Sequence, residues 1–128
     1  MQDKPSAIEL VEAVANFIRE HAMPQLQGHT AFHARVAANA LDIIKRELEV
    51  APAAEMQERE RLAALLGHDG ALEELNRELC GKIETGELTL ETTALGEHLW
   101  ATTLTKLAID QPNYSGYRRA LKEWQESR

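Results

Sequence analysis

The residues able to do chemistry are few and scattered along the chain. His29 and His33 stand four residues apart, the spacing that places two imidazoles on one helix face for a metal ion. No Glu follows His29 as it would in a metalloprotease helix, and further ligands would have to come from His68, His98 or a distant acid. The pair therefore reads as packing and hydrogen-bonding groups, with no metal assigned. Arg35, Asn39, Asp42 and Arg46 succeed one another at four, three and four residues, a polar stripe in which Asp42 and Arg46 have the favourable order for an ion pair. His33, Arg35 and Asn39 are the candidate ligand-binding residues, since a guanidinium and an amide on one stripe can hold an anionic group. A solvated stripe or a buried network would use the same residue types.

Nucleophilic chemistry has no support. Cys80 is followed by Gly81 and lies two residues from Glu78, with no cationic neighbour in sequence to activate it, so it reads as a packing residue. Glu73, Glu74 and Glu78 form a carboxylate cluster of the kind that faces water. A glycine-rich phosphate loop, a CxxC pair and a serine elbow are all missing. The sequence thus predicts no catalytic residue and no cofactor. The aromatics are the informative asymmetry: Trp100, Tyr114, Tyr117 and Trp124, four of the six, fall in the last 29 residues. Tyr114, Tyr117 and Trp124 are the candidate interface residues, because exposed aromatics anchor protein contacts. The competing reading is that they pin the last helix onto the one before it.

The elements that must position these groups are helices. Ser6 and Glu9 form a capping box for a helix over 7–22, with Ile8, Val11, Ile18 and Ala22 on one stripe and Pro24 and Gly28 ending it. A second helix is predicted over 30–48, broken at Pro52, and a third over 54–66, stopped by Gly67-His68-Asp69-Gly70 with Asp69 as the next cap. Leu72, Leu75, Leu79 and Ile83 define a fourth helix that ends at Gly86. Gly81 inside it implies close approach of a neighbouring backbone. A fifth, over 92–109, is apolar around more than half its circumference and should be central. Pro112 ends it, and Asn113 or Ser115 caps a short sixth. No segment alternates with period two. The expected fold is all-α, a single domain over 1–128 built as an irregular orthogonal bundle of about six helices.

Composition agrees with a globular domain, at 44% hydrophobic and 27% charged residues. Fourteen basic against twenty-one acidic side chains give a net charge of −7, which repels phosphate backbones and anionic lipid, so nucleic acid and membrane are not expected partners. One cysteine forms no internal disulfide, and Asp3, Lys4, Glu9 and Glu12 interrupt any secretory signal, so a cytoplasmic location is expected. Acids predominate between Asp69 and Glu97 and bases near the C-terminus, faces that either meet or stay solvated.

Three stretches, AFHARVAANAL from Ala31, ELCGKIETGEL from Glu78 and TLTKLAIDQPNYSGYR from Thr103, carry a resemblance. They are similar to a family of short all-helical bacterial proteins of unknown function, often encoded beside aminoglycoside-phosphotransferase-like kinases and acyl-CoA dehydrogenases. The resemblance supplies no catalytic residue. It implies an accessory role near acyl-CoA or small-molecule kinase metabolism, with a kinase-like or dehydrogenase-like protein as partner. The expected function is accordingly a non-enzymatic interaction module. The alternative is a binder of an anionic metabolite or acyl-CoA, or an enzyme of unrecognised type. Pairing into a homodimer is a further expectation for a small helical domain.

Overall fold

A computed structural model of the chain describes residues 3–128. Among these residues the regular structure is helical, without strands: α1 (Ala7–Phe17), α2 (Gly28–Leu66), α3 (Leu72–Glu84), α4 (Thr93–Asp110) and α5 (Ser115–Glu126). The all-α expectation holds, with five α-helices where about six were expected. The difference lies at Pro52. The predicted second and third helices are one helix of 39 residues that runs through the proline. Proline lacks the N–H that would bond the Leu48 carbonyl, a defect that usually ends or kinks a helix. Here Pro52 is exposed, so water can take up the carbonyl, and alanines and glutamates on either side favour helix.

The chain divides into two compact units within α2, one ending at Ala51 and the other beginning at Pro52. In the first, the capping box forms as expected. The Ser6 hydroxyl accepts from the Glu9 N–H at 3.2 Å, and the Glu9 carboxylate accepts from the Ser6 N–H at 2.9 Å. Such a cap is worth about 1 kcal/mol. Beyond α1 the chain continues as a π turn over Ile18–Ala22 and a 3-10 turn over Met23–Gln25. Gly28, at a φ of 61° that side chains rarely adopt, then opens α2. The two arms lie antiparallel, joined by Arg19 to Asp42 and by Lys45 to Glu12 at 3.3 Å. Ala15 and Ala38 are the fully buried apolar residues of this unit.

The second unit has a leucine core. Leu62 of α2, Leu75 and Leu79 of α3 and Leu95 of α4 are fully buried together, with Leu65, Leu66, Leu72 and Leu88 packed around them. The spacing of 72, 75 and 79 turns one face of α3 inward. Gly67 and Gly86, both at positive φ, release the chain from α2 and α3. Asp69 does not cap α3 as expected. The cap position is Ala71, without a side-chain bond, because Asp69 is held by Arg59 and by the Gly70 N–H. Gly81 is also not the close-approach site it implied, for a Cβ there would meet nothing within 4 Å. In α4 the Thr103 and Thr105 hydroxyls bond back to the Leu99 and Ala101 carbonyls, while Leu95, His98 and Leu104 are buried.

An exposed helical glycine with empty space about it only adds entropy to the unfolded chain. Gly81→Ala should therefore stabilise the protein by about 0.5–1 kcal/mol, read as a higher guanidinium midpoint with unchanged m-value.

Candidate functional site

A concavity lies where α5 returns along α4. Pro112 lacks an N–H and ends α4, and the chain turns as the Tyr114 N–H donates to the Gln111 carbonyl at 3.1 Å. Arg118 then clamps the turn. Its Nε donates to the Pro112 carbonyl at 3.3 Å and its Nη2 to the Asn113 side-chain oxygen at 2.7 Å. Asn113 thus acts as an acceptor for Arg118 and does not cap α5 as expected; Tyr114 takes the cap position without a side-chain bond. The Tyr114 ring folds over Gly116, where a Cβ would come within 2.7 Å of it. The missing side chain at Gly116 is the space the ring occupies.

This arrangement leaves a cleft of about 330 Å³ lined by Trp100, Leu104, Leu107, Tyr114, Arg119 and Glu123, among others. Trp100 is 43% exposed and Tyr114 53%. Of the three aromatics singled out in the sequence, only Tyr114 lines the cleft. Tyr117 is buried, and the half-buried Trp124 carries the Arg128 guanidinium over its ring at 3.9 Å. Trp100 is the aromatic that reasoning from the terminal segment left out of the interface. Arg119 and Glu123 set one charge of each sign on the wall from α5.

The ligand residues proposed from the polar stripe of α2 are divided between two environments. His33 and Arg35 both lean on Phe32, the imidazole edge-on at 5.5 Å between ring centroids and the guanidinium at 5.8 Å from the ring centre. Asn39 instead accepts from Arg19, whose two Nη atoms also bond both oxygens of Asp42 at 3.1 and 2.6 Å. The Arg19 bond, helped by the charges of Arg46 and Lys45, holds the Asp42 carboxyl below the usual range. The partner of Asp42 across the unit is thus Arg19, and Arg46 contributes through its field.

A second polar group lies in the leucine core. His98 follows Leu95 by three residues, shares its face and is buried. Arg61 Nε donates to His98 Nδ1 at 3.3 Å, which makes Nδ1 the acceptor and places the imidazole proton on Nε2. Burial, and then the Arg61 charge, push the His98 pKa down, against a smaller upward pull from Glu58. The Glu58 carboxylate is itself held by Asn76 at 3.1 Å. On the surface, His68 is pushed the other way by its bond to the Asp69 carbonyl and by Glu78 at 2.7 Å. Among the described residues no three His, Cys, Asp or Glu side chains come together to hold a metal ion.

A family model described as a domain of unknown function, DUF6285, matches residues 24–114. The chain belongs to the DUF6285 family. No curated protein and no solved structure matches it. The DUF6285 match contains the leucine core, His98, Trp100 and Tyr114, while Arg119 and Glu123 lie beyond it. The family gives the α4–α5 cleft no assigned chemistry, so its reading rests on the residues themselves. A sequence signal for His98 was present, since positions 95, 98 and 102 keep the spacing of a buried helix face.

The two histidines should act on stability in opposite directions. His98 has its folded pKa below the 6.5 of the free side chain. Its neutral form therefore contributes fully above that pH, and the contribution is lost as pH falls through 6.5 toward the folded value. His68 has a raised pKa, so its contribution is complete below 6.5 and is lost as pH rises through the folded value. In denaturant titrations from neutral pH down to about pH 5, His98→Gln should remove the part of the acid loss that comes from this ring. His68→Gln should leave that part in place.

Proposed function

We propose that this protein is a non-enzymatic interaction module that docks a partner protein through the α4–α5 cleft. The observation that carries this reading is the pair of large aromatics, Trp100 and Tyr114, left about half exposed beside a charged wall. Burying such rings is favourable, and a water-exposed ring costs little to move into a partner. The occupant that fits is an apolar or aromatic side chain with an acidic neighbour for Arg119 and a donor for Glu123. The resemblance in sequence supports a kinase-like or acyl-CoA dehydrogenase-like partner, and the lone Cys80 is consistent with work in the reducing cytoplasm.

A second reading has one observation in its favour: a volume of about 330 Å³ is at the lower end of small-ligand pockets. In that case the cleft takes an anionic metabolite or an acyl-CoA fragment, with Arg119 on the negative group.

Calorimetry with purified partners of the two kinds tests the docking reading. Trp100→Ala and Tyr114→Ala should each weaken binding at least tenfold, about 1.4 kcal/mol, with helicity unchanged. Gly116→Ala should weaken it as well, because the new Cβ displaces the Tyr114 ring while the core is untouched. Failure to bind either kind of partner, or binding that survives the Trp100→Ala, Tyr114→Ala double variant, refutes the proposal. A thermal shift with acyl-CoAs or nucleotides that disappears in Trp100→Ala would favour the small-ligand reading instead.

A further inference from the structure

A neutral imidazole has one basic nitrogen, and in His98 that nitrogen is occupied. Nδ1 accepts from the Arg61 Nε–H at 3.3 Å, so the lone pair that an incoming proton needs points at a guanidinium. A proton and Arg61 therefore compete for one site. Both together would leave two N–H donors facing each other and two positive charges side by side. Water does little to relieve that conflict, because His98 is 2% exposed.

The same guanidinium ties α2 to α4. Its Nη2 donates to the Thr102 Oγ1 at 3.5 Å, one turn beyond His98, and within the second unit the two bonds from Arg61 are the side-chain hydrogen bonds that join these helices. The neighbouring polar link runs from α2 to α3 instead, where the Asn76 amide donates to Glu58 at 3.1 Å, and it leaves α4 untouched. Burial opposes a charge on the imidazole most and the Arg61 charge opposes it next, while Glu58 favours it more weakly. Both charged groups come from α2, and α3 contributes the neutral Asn76 to the network. Arg61 adjoins Leu62 in sequence and His98 shares a face with Leu95, so the contact stands at the edge of the leucine packing of α2 on α4.

We propose that the Arg61–His98 contact is a proton-sensitive latch: uptake of one proton at Nδ1 expels Arg61, breaks both of its bonds to α4 and frees α4 from α2. What acid weakens first is then one contact between two helices, and not the fold as a whole. Such a latch works whether or not the α4–α5 cleft docks a partner. Released from the core, the ring titrates near 6.5; held shut, it has its pKa below that value. The latch is therefore shut above 6.5, and opening grows as pH falls below it. Between about pH 7.5 and pH 5 the open population should rise up to about thirtyfold, the ratio in which a free imidazole favours the protonated form at the two values.

Amide exchange of the full chain, corrected for intrinsic rates, reads the opening. Between Leu95 and Leu104 it should accelerate by a factor approaching about thirty over that range, with α1 changing little. Nitrogen NMR of the His98 ring should find the proton on Nε2 and a bare Nδ1 at neutral pH. In Arg61→Met the exchange of α4 should already be faster at neutral pH and its further rise in acid smaller, because acid and the substitution remove the same contact. The measurements on the wild-type chain stand without this variant if it fails to fold. Exchange in α4 that does not quicken in acid overturns the proposal, and so does equal quickening in α1 and α4, which is loss of the whole fold. A proton on Nδ1 at neutral pH, or an acid rise in folded Arg61→Met as large as in the wild type, also overturns it.

Discussion

Burial of Leu62, Leu75, Leu79 and Leu95 is the contact on which the second unit depends. Each leucine comes from a position that its helix turns inward, and each is worth about 1.5–3 kcal/mol when removed from water. With three helices locked at these points, the remaining side chains have little choice of direction. His98 must enter the interior one turn after Leu95, and Arg61, one residue before Leu62, is the donor within reach of its ring. Trp100 follows His98 by two residues and is consequently carried toward water, where α5 closes against it to form the cleft wall.

The first unit works from the opposite principle. Alanine at the centre of a helix pair allows close approach, yet it contributes little hydrophobic free energy, and the ion pairs beside it are partly exposed and correspondingly weak. Its helices are defined by local signals: the capping box at Ser6 and Glu9, and the glycine at positive φ that starts α2. Local signals fix where a helix begins, but short helices in water are marginal without tertiary burial.

Much of this was legible in the sequence because it is periodic. The face of α3, the cap of α1 and the stops at Gly67 and Gly86 follow from spacing and residue type alone. The misreadings occur where two physical rules compete at one residue. Pro52 signals a break by its chemistry, but the neighbouring helix formers and solvent at the freed carbonyl outweigh it. Asp69 is a good cap by type, and it is taken by a guanidinium ten residues earlier in the chain, a contact that no local pattern reveals. Gly81 implied a close neighbour, and it has none. Within the site, Tyr114 could be picked out from composition, whereas sorting buried Tyr117 from exposed Trp100 required the packing of α4 against α5.

Gly116 separates two kinds of constraint that proteins usually mix. The leucines set stability, and the exposed ring of Tyr114 rests on a position whose only requirement is the lack of a side chain. A surface built this way is evolvable. Substitutions at 100, 114, 119 and 123 can redraw its shape and charge without loading the core, and one change at 116 can withdraw the ring altogether. Divergence in recognition can then proceed at nearly constant fold stability, with selection acting on the cleft and on the leucines as separate traits.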